Sequence, residues 1–172
     1  EITTNAILAS ACLPTVFKAV EIGDEAYWDG GYTGNPALFP LFEPELPSDI
    51  VIVNINPLER VEVPMDAHGI LNRINEISFN SSLLRELRAI HFVQRLISEG
   101  KVPSNSMKRV RVHMIADDDL MTELSVASKL VPTPQTLKAL FDAGHSAADS
   151  FLANEAKNIG RQSSVDLPAM YG

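Results

Sequence analysis

Asp29-Gly30-Gly31 is the part of this chain best suited to chemistry. Its carboxylate leaves a short apolar run, Ala26-Tyr27-Trp28, and two glycines follow at once. Glycine lets the backbone turn sharply and lets another segment come close, so an acid at such a turn can be aimed at a neighbouring nucleophile. A carboxylate in water is a weak base. Partial burial disfavours its charge and raises its proton affinity, which suits it to take a proton from a hydroxyl. Trp28 and Tyr32 flank Asp29 and are expected to supply that shelter. Asn35 is expected to hold the loop through side-chain bonds to the backbone. Standing alone, Asp-Gly-Gly is more often a plain turn.

The other reactive residue types lack a motif. A Ser-His-Asp triad would need His68, His91, His113 or His145 as its base. These fall near a helix start, inside a long helical pattern, within a strand and in the last helix, and are expected to be surface or structural. Gly144-His145-Ser146-Ala147-Ala148 begins like a nucleophile elbow but lacks the final glycine. It also falls inside a helical pattern, whereas an elbow joins a strand to a helix. Its small residues are expected to permit close helix packing, and Ser10 and Ser146 are poor nucleophiles. Asp117-Asp118-Asp119 does not have calcium-loop spacing and reads as a polar turn with Asp119 capping a short helix. Cys12, the single cysteine, reads as a small buried thiol in a helix. Phosphate-binding glycine loops, zinc-type Cys/His sets and dinucleotide fingerprints are absent, so neither cofactor nor metal is expected.

The elements that must position Asp29 follow from periodicity and punctuation. Thr3 or Thr4 can cap a helix to about Leu13, where Pro14 breaks the pattern. Ala19 to Ile22 and Ala26 to Trp28 form a strand pair around Gly23-Asp24. Pro36 to Phe42 reads as a short helix inside an ordered, proline-rich surface loop. Asp49 to Ile55 is apolar on both faces, as for a buried parallel strand. A long helix is expected from about Asp66 to Glu99, with Gly100 as its stop. Lys108 to Ile115 returns as a strand whose basic residues alternate onto a solvent face. Gln135 to about Lys157 is the last helix, and the tail from Asn158 to Gly172 has no clear period. This order predicts an α/β fold with a mainly parallel sheet and flanking helices.

Composition narrows the partners. With 172 residues, 45% hydrophobic and 21% charged, the chain can build one globular domain with a core. Its net charge of −8 argues against nucleic acid and gives no reason to expect attraction to an anionic membrane. No apolar run approaches the roughly 20 residues of a spanning helix. One cysteine and no visible leader are compatible with the cytoplasm; association with membrane lipid stays open.

Ile7-Leu8-Ala9-Ser10-Ala11-Cys12-Leu13-Pro14-Thr15-Val16-Phe17 precedes Asp29-Gly30-Gly31, and Asn35-Pro36 follows it. Together these residues resemble the patatin-like lipid acyl hydrolases, in which an "ASxxxPxxF" stretch precedes the "DGG" of the catalytic aspartate. The resemblance is dense from about Thr3 to Leu41. A weaker likeness, to a bacterial branch, runs from Phe141-Asp142-Ala143-Gly144 to Ser163-Ser164-Val165-Asp166-Leu167. The family implies an α/β sandwich related to the α/β hydrolases and attack on fatty acyl esters of lipids by a Ser-Asp dyad. Asp29 takes the role of base, with Gly30, Gly31 and Asn35 supporting it. The family's Gly-x-Ser-x-Gly serine and glycine-rich oxyanion loop have no counterpart in residues 1–28, and the sequence opens at Glu1. Residues 1–172 are therefore expected to be the C-terminal part of one patatin-like catalytic domain. An upstream segment of the same protein would supply the serine, and the sheet would be incomplete without it. The alternatives are a non-catalytic interaction module on a hydrolase-like fold and, more remotely, a histidine-based triad.

Overall fold

The computed structural model describes residues 2–14, 16–103, 105–124, 131 and 133–172, and of His68 only the main chain. Helix α1 (Thr4–Ser10) starts at Thr3, whose hydroxyl accepts from the Ala6 N–H at 3.2 Å. It stops short of Leu13 because the Ala11 and Cys12 N–H groups close tighter turns onto Leu8 and Ala9. Cys12 thus lies past the helix, not in it, buried and with its thiol donating to the Lys18 carbonyl at 3.0 Å. Strands β1 (Val20–Ile22) and β2 (Glu25–Tyr27) form an antiparallel hairpin with Val20 opposite Tyr27. Gly23, at φ 65°, makes its left-handed turn. Instead of an α-helix from Pro36, a 3-10 turn covers Phe39–Phe42. Pro40 removes a donor that a longer helix would need.

Strands β3 (Asp49–Asn54) and β4 (Arg111–Ala116) pair in parallel, Ile50 opposite Val112 and Ile52 opposite Met114. Helix α2 (Ala67–Ser98) makes the crossover between them. It closes on Gly100, at φ 66°, with the Lys101 N–H reaching back to the Leu96 carbonyl at 2.9 Å. Leu83, Leu87 and Ile90 of α2 press on Ile50, Ile52, Val110 and Val112, and Leu38 and Leu167 close this core. Helix α3 (Asp118–Glu123) follows β4. Helix α4 (Pro134–Asn154) packs on β4 from the other side, where Phe151 meets the edge of His113. The result is a mixed α/β structure with a small parallel sheet.

Three expectations change. β3 is not buried on both faces: Val51, Val53 and Ile55 are 44%, 69% and 59% exposed. α2 covers one face of the sheet, and α4 covers β4 on the other but leaves β3 bare. The tail is not featureless either. Helix α5 (Leu167–Tyr171) buries Leu167 fully, and the Tyr171 hydroxyl donates to the Leu84 carbonyl at 2.8 Å. Finally, Arg111 does not sit on a solvent face. It donates from Nε and Nη2 to the two Asp49 oxygens at 2.9 and 2.7 Å, side by side in the strand register.

Candidate active site

Asp29 is positioned from both ends of the segment around it. Its N–H donates to the Cys12 carbonyl at 2.9 Å, which ties it to the turn after α1. Its Oδ1 accepts from the Gly31 N–H at 2.7 Å and so caps the 3-10 turn Gly30–Tyr32. The residue is half-buried. A Cβ on Gly31 would lie 2.5 Å from the Phe79 ring and 3.0 Å from Asp29 Oδ1, whereas at Gly30 it would meet open space. Close approach, not backbone angle, therefore requires glycine at 31, and nothing comparable requires it at 30.

The shelter comes from a different residue than expected. Phe79 of α2 stands beside Asp29, and Tyr32 packs against that ring at a tilt, 4.8 Å between centroids. Trp28 turns away, its indole N–H donating to the Phe17 carbonyl at 3.1 Å. Asn35 also acts otherwise than expected. Its main-chain N–H, not its side chain, fastens the loop, donating to Ser82 Oγ at 2.8 Å. The Leu38 N–H adds a bond to the Glu86 carboxylate at 3.0 Å.

Asp29 and Asn35 line a cleft of about 640 Å³ at the carboxyl ends of β3 and β4. Ligands of parallel α/β sheets gather at that end of the strands. Its lining includes the polar residues Asn54, Asn56, Asn75 and Glu76. Leu13, Val53, Ile55, Ile115, Met121 and Leu140 supply apolar lining. Ala143, Gly144 and Ala147 of α4 also face it, so this stretch borders open space instead of permitting tight helix packing. Among the described residues that line the cleft there is no serine, cysteine or histidine.

The charges around the cleft are set by pairing. Burial would push the Glu76 carboxyl up, but hydrogen bonds from Arg60 and Arg73 and their positive charge hold it below its ordinary value. Arg60 grips it from two nitrogens, at 2.8 and 2.5 Å. Asp117, also on the cleft wall, caps α3 by accepting from the Leu120 N–H at 3.0 Å. The cap is therefore Asp117 and not Asp119, because the helix begins two residues earlier than expected. Asp118 is pushed up by burial and by its acidic neighbours Asp119, Asp117 and Glu59.

The histidines do not converge on Asp29. His113 is fully buried at the opposite end of the sheet, between Ser164 Oγ (2.8 Å from Nδ1) and Asp49 Oδ1 (3.0 Å from Nε2). This line has the residue types of a triad but the wiring of a brace. The imidazole has no surface from which to hand a proton to a leaving group. Asp49 is also taken by Arg111 and by the Gly160 N–H, at 2.8 Å. His145 is exposed on α4 against Phe141, and His91 lies on α2 near Tyr171. The side chain of His68 lies outside the described residues.

A family model described as patatin-like phospholipase matches residues 2–42, the segment that builds and holds the Asp29 loop. The match supports a patatin-like phospholipase assignment and points to a family of lipid hydrolases. No curated protein and no solved structure matches the chain. No helix of the described residues is long and apolar enough to cross a membrane.

Proposed function

We propose that this chain carries the base of a lipid acyl hydrolase, with Asp29 as the acid member of a Ser-Asp dyad. The observation that carries the reading is the placement of the matched segment's only Asp-Gly-Gly aspartate on the rim of the 640 Å³ cleft. In this reading an upstream segment of the same protein brings a Gly-x-Ser-x-Gly serine and an oxyanion loop to the cleft. The serine hydroxyl attacks the ester carbonyl while Asp29 takes its proton. That proton then goes to the departing alcohol. Water, deprotonated by Asp29, releases the fatty acid from the acyl-enzyme. The apolar part of the lining suits an acyl chain, and the asparagines suit the polar portion of the ester.

The full patatin-like sandwich belongs to the same proposal. Val51, exposed on β3 outside the cleft lining, is what a covering layer absent from these residues would leave bare. A non-catalytic module predicts a covered apolar surface and no room beside Asp29, and both expectations fit this geometry less well. The test uses the protein extended to include the serine-bearing segment, assayed with short-chain nitrophenyl esters. Asp29→Asn is expected to lower kcat by about 10²–10⁴-fold with KM little changed. Turnover at the parental rate in that variant would rule out the dyad. Loss of turnover in one member of a His-to-Ala series, with its melting temperature unchanged, would instead favour the histidine route.

A further inference from the structure

The outer surface of α2, away from the Asp29 cleft, gathers positive charge. Arg85, Arg88 and Arg95 lie along one stripe of the helix and are exposed. With His91, Phe92 and Tyr171 they line a hollow of about 430 Å³. Among the described residues that line it there is no carboxylate. Among the described residues Arg85 and Arg88 have no ion pair. Among the same residues Arg95 pairs only with Glu99, at 4.0 Å, and Glu99 is itself bonded to Lys101 at 2.6 Å. The chain has 22 acidic against 14 basic residues, so acids to neutralise these arginines are not scarce. Arg85 and Arg88, one turn apart, repel each other, and Arg95, two turns beyond Arg88, adds its positive charge to the same hollow.

We propose that this hollow is a binding site for a phosphate-class anion. Guanidinium groups present paired donors that match phosphate oxygens, and several can converge on one multivalent anion. Two of its lining residues are held in place: the Tyr171 hydroxyl is bonded to the Leu84 carbonyl, and Arg95 lies over the Phe92 ring at 5.6 Å. Ala89 borders both this hollow and an apolar trough of about 380 Å³ that contains Ile90, Val93 and Met107. The anion can therefore be a free phosphate compound or a lipid head group whose chain crosses Ala89 into the trough. Neither case depends on the Ser-Asp reading of the cleft.

The full chain is titrated calorimetrically with inorganic phosphate and glycerol phosphate, ionic strength being balanced with chloride. A second arm uses a short-chain phosphatidate below its micelle concentration. One saturable site is expected, with Arg85→Gln and Arg88→Gln each weakening it about tenfold and Arg161→Gln leaving it unchanged. Both glutamine variants should melt no lower than the parent in phosphate-free, low-salt buffer, because removing either charge relieves repulsion. Equal affinity for all three probes assigns the site to free phosphate compounds. A phosphatidate preference of about tenfold or more that Met107→Asn removes assigns it to a lipid head group. Heats that vanish when ionic strength is balanced, or affinity unchanged in both glutamine variants, would overturn the proposal.

Discussion

The Phe79 ring occupies the space that a side chain at residue 31 would need: its edge lies 2.5 Å from the position of a Cβ on Gly31. The same Cβ would crowd Asp29 Oδ1 at 3.0 Å, so one substitution presses on the ring and the carboxylate together. Gly31→Ala should therefore cost about 1–3 kcal/mol in urea unfolding. Phe79 can swing only by disturbing its packing with Tyr32. Phe79→Leu in the Gly31→Ala background should recover part of the loss, a coupling that a double-mutant cycle reads directly. Gly30→Ala, which meets open space, should stay within about 0.5 kcal/mol of the parent. Equal losses at 30 and 31 would contradict the packing described for the loop.

Asp49 links pH to stability. The hydrogen bonds from Arg111, outweighing the cost of burial and helped by His113 and Gly160, hold its carboxyl well below the usual carboxylate range. A group with a depressed folded-state pKa stabilises the fold above its unfolded value, and that stability is lost as pH falls toward the folded one. The chain should therefore lose stability from about pH 4 downward as Asp49 is protonated. Asp49→Asn should cost about 2 kcal/mol at neutral pH, between the values for surface and buried pairs, and should flatten the acid limb of the curve. Unfolding midpoints measured between neutral pH and strong acid test both statements. An acid limb of unchanged steepness in the variant would assign the effect to other carboxylates.

Leu167 has no exposed surface and belongs to the same core as Leu83 and Leu87, although it comes from a five-residue helix near the end of the chain. Leu167→Ala should cost about 3 kcal/mol, in the range for a buried leucine cut to alanine. Tyr171→Phe should cost about 1 kcal/mol, because it removes one donor to Leu84 and leaves the ring in place. Thermal melts of the two variants separate packing from hydrogen bonding at this corner. A tail that only lay on the surface would make both changes nearly silent.

What the sequence disclosed and what it hid follow from interaction range. The α2 crossover, the hairpin at Gly23 and the Thr3 cap rest on local signals, and all three were legible. The Asp29 loop was legible as a motif, but its packing was not. Phe79 stands 50 residues away on α2, and nothing near Asp29 announces it. Helix α5 is too short to show a period, so only its contacts reveal it. The Asp49–Arg111 pair needs the parallel register before the two residues can be seen as neighbours. The arginine stripe on α2 was hidden differently. Arg85, Arg88 and Arg95 are spread through a helix in a chain of net charge −8, and the whole-chain balance concealed a local excess. Helical spacing of the arginines was the signal that could have found them.

Val51 offers the sharpest check on the proposed covering layer, because it points from β3 away from the core yet does not line the cleft. At 44% exposure it should tolerate lysine in the 172-residue chain, with a change within about 0.5 kcal/mol. If the proposed upstream segment covers β3, the same lysine in the extended protein would be pressed under it. Burying an unpartnered charge there should cost several kcal/mol, on the order of a broken buried pair. The difference between the two lengths isolates what the upstream segment adds at this position. A penalty confined to the extended protein would place that segment over β3, beside the cleft that Asp29 borders. Tolerance at both lengths would mean that nothing covers this face, and the serine would then have to approach Asp29 from another side.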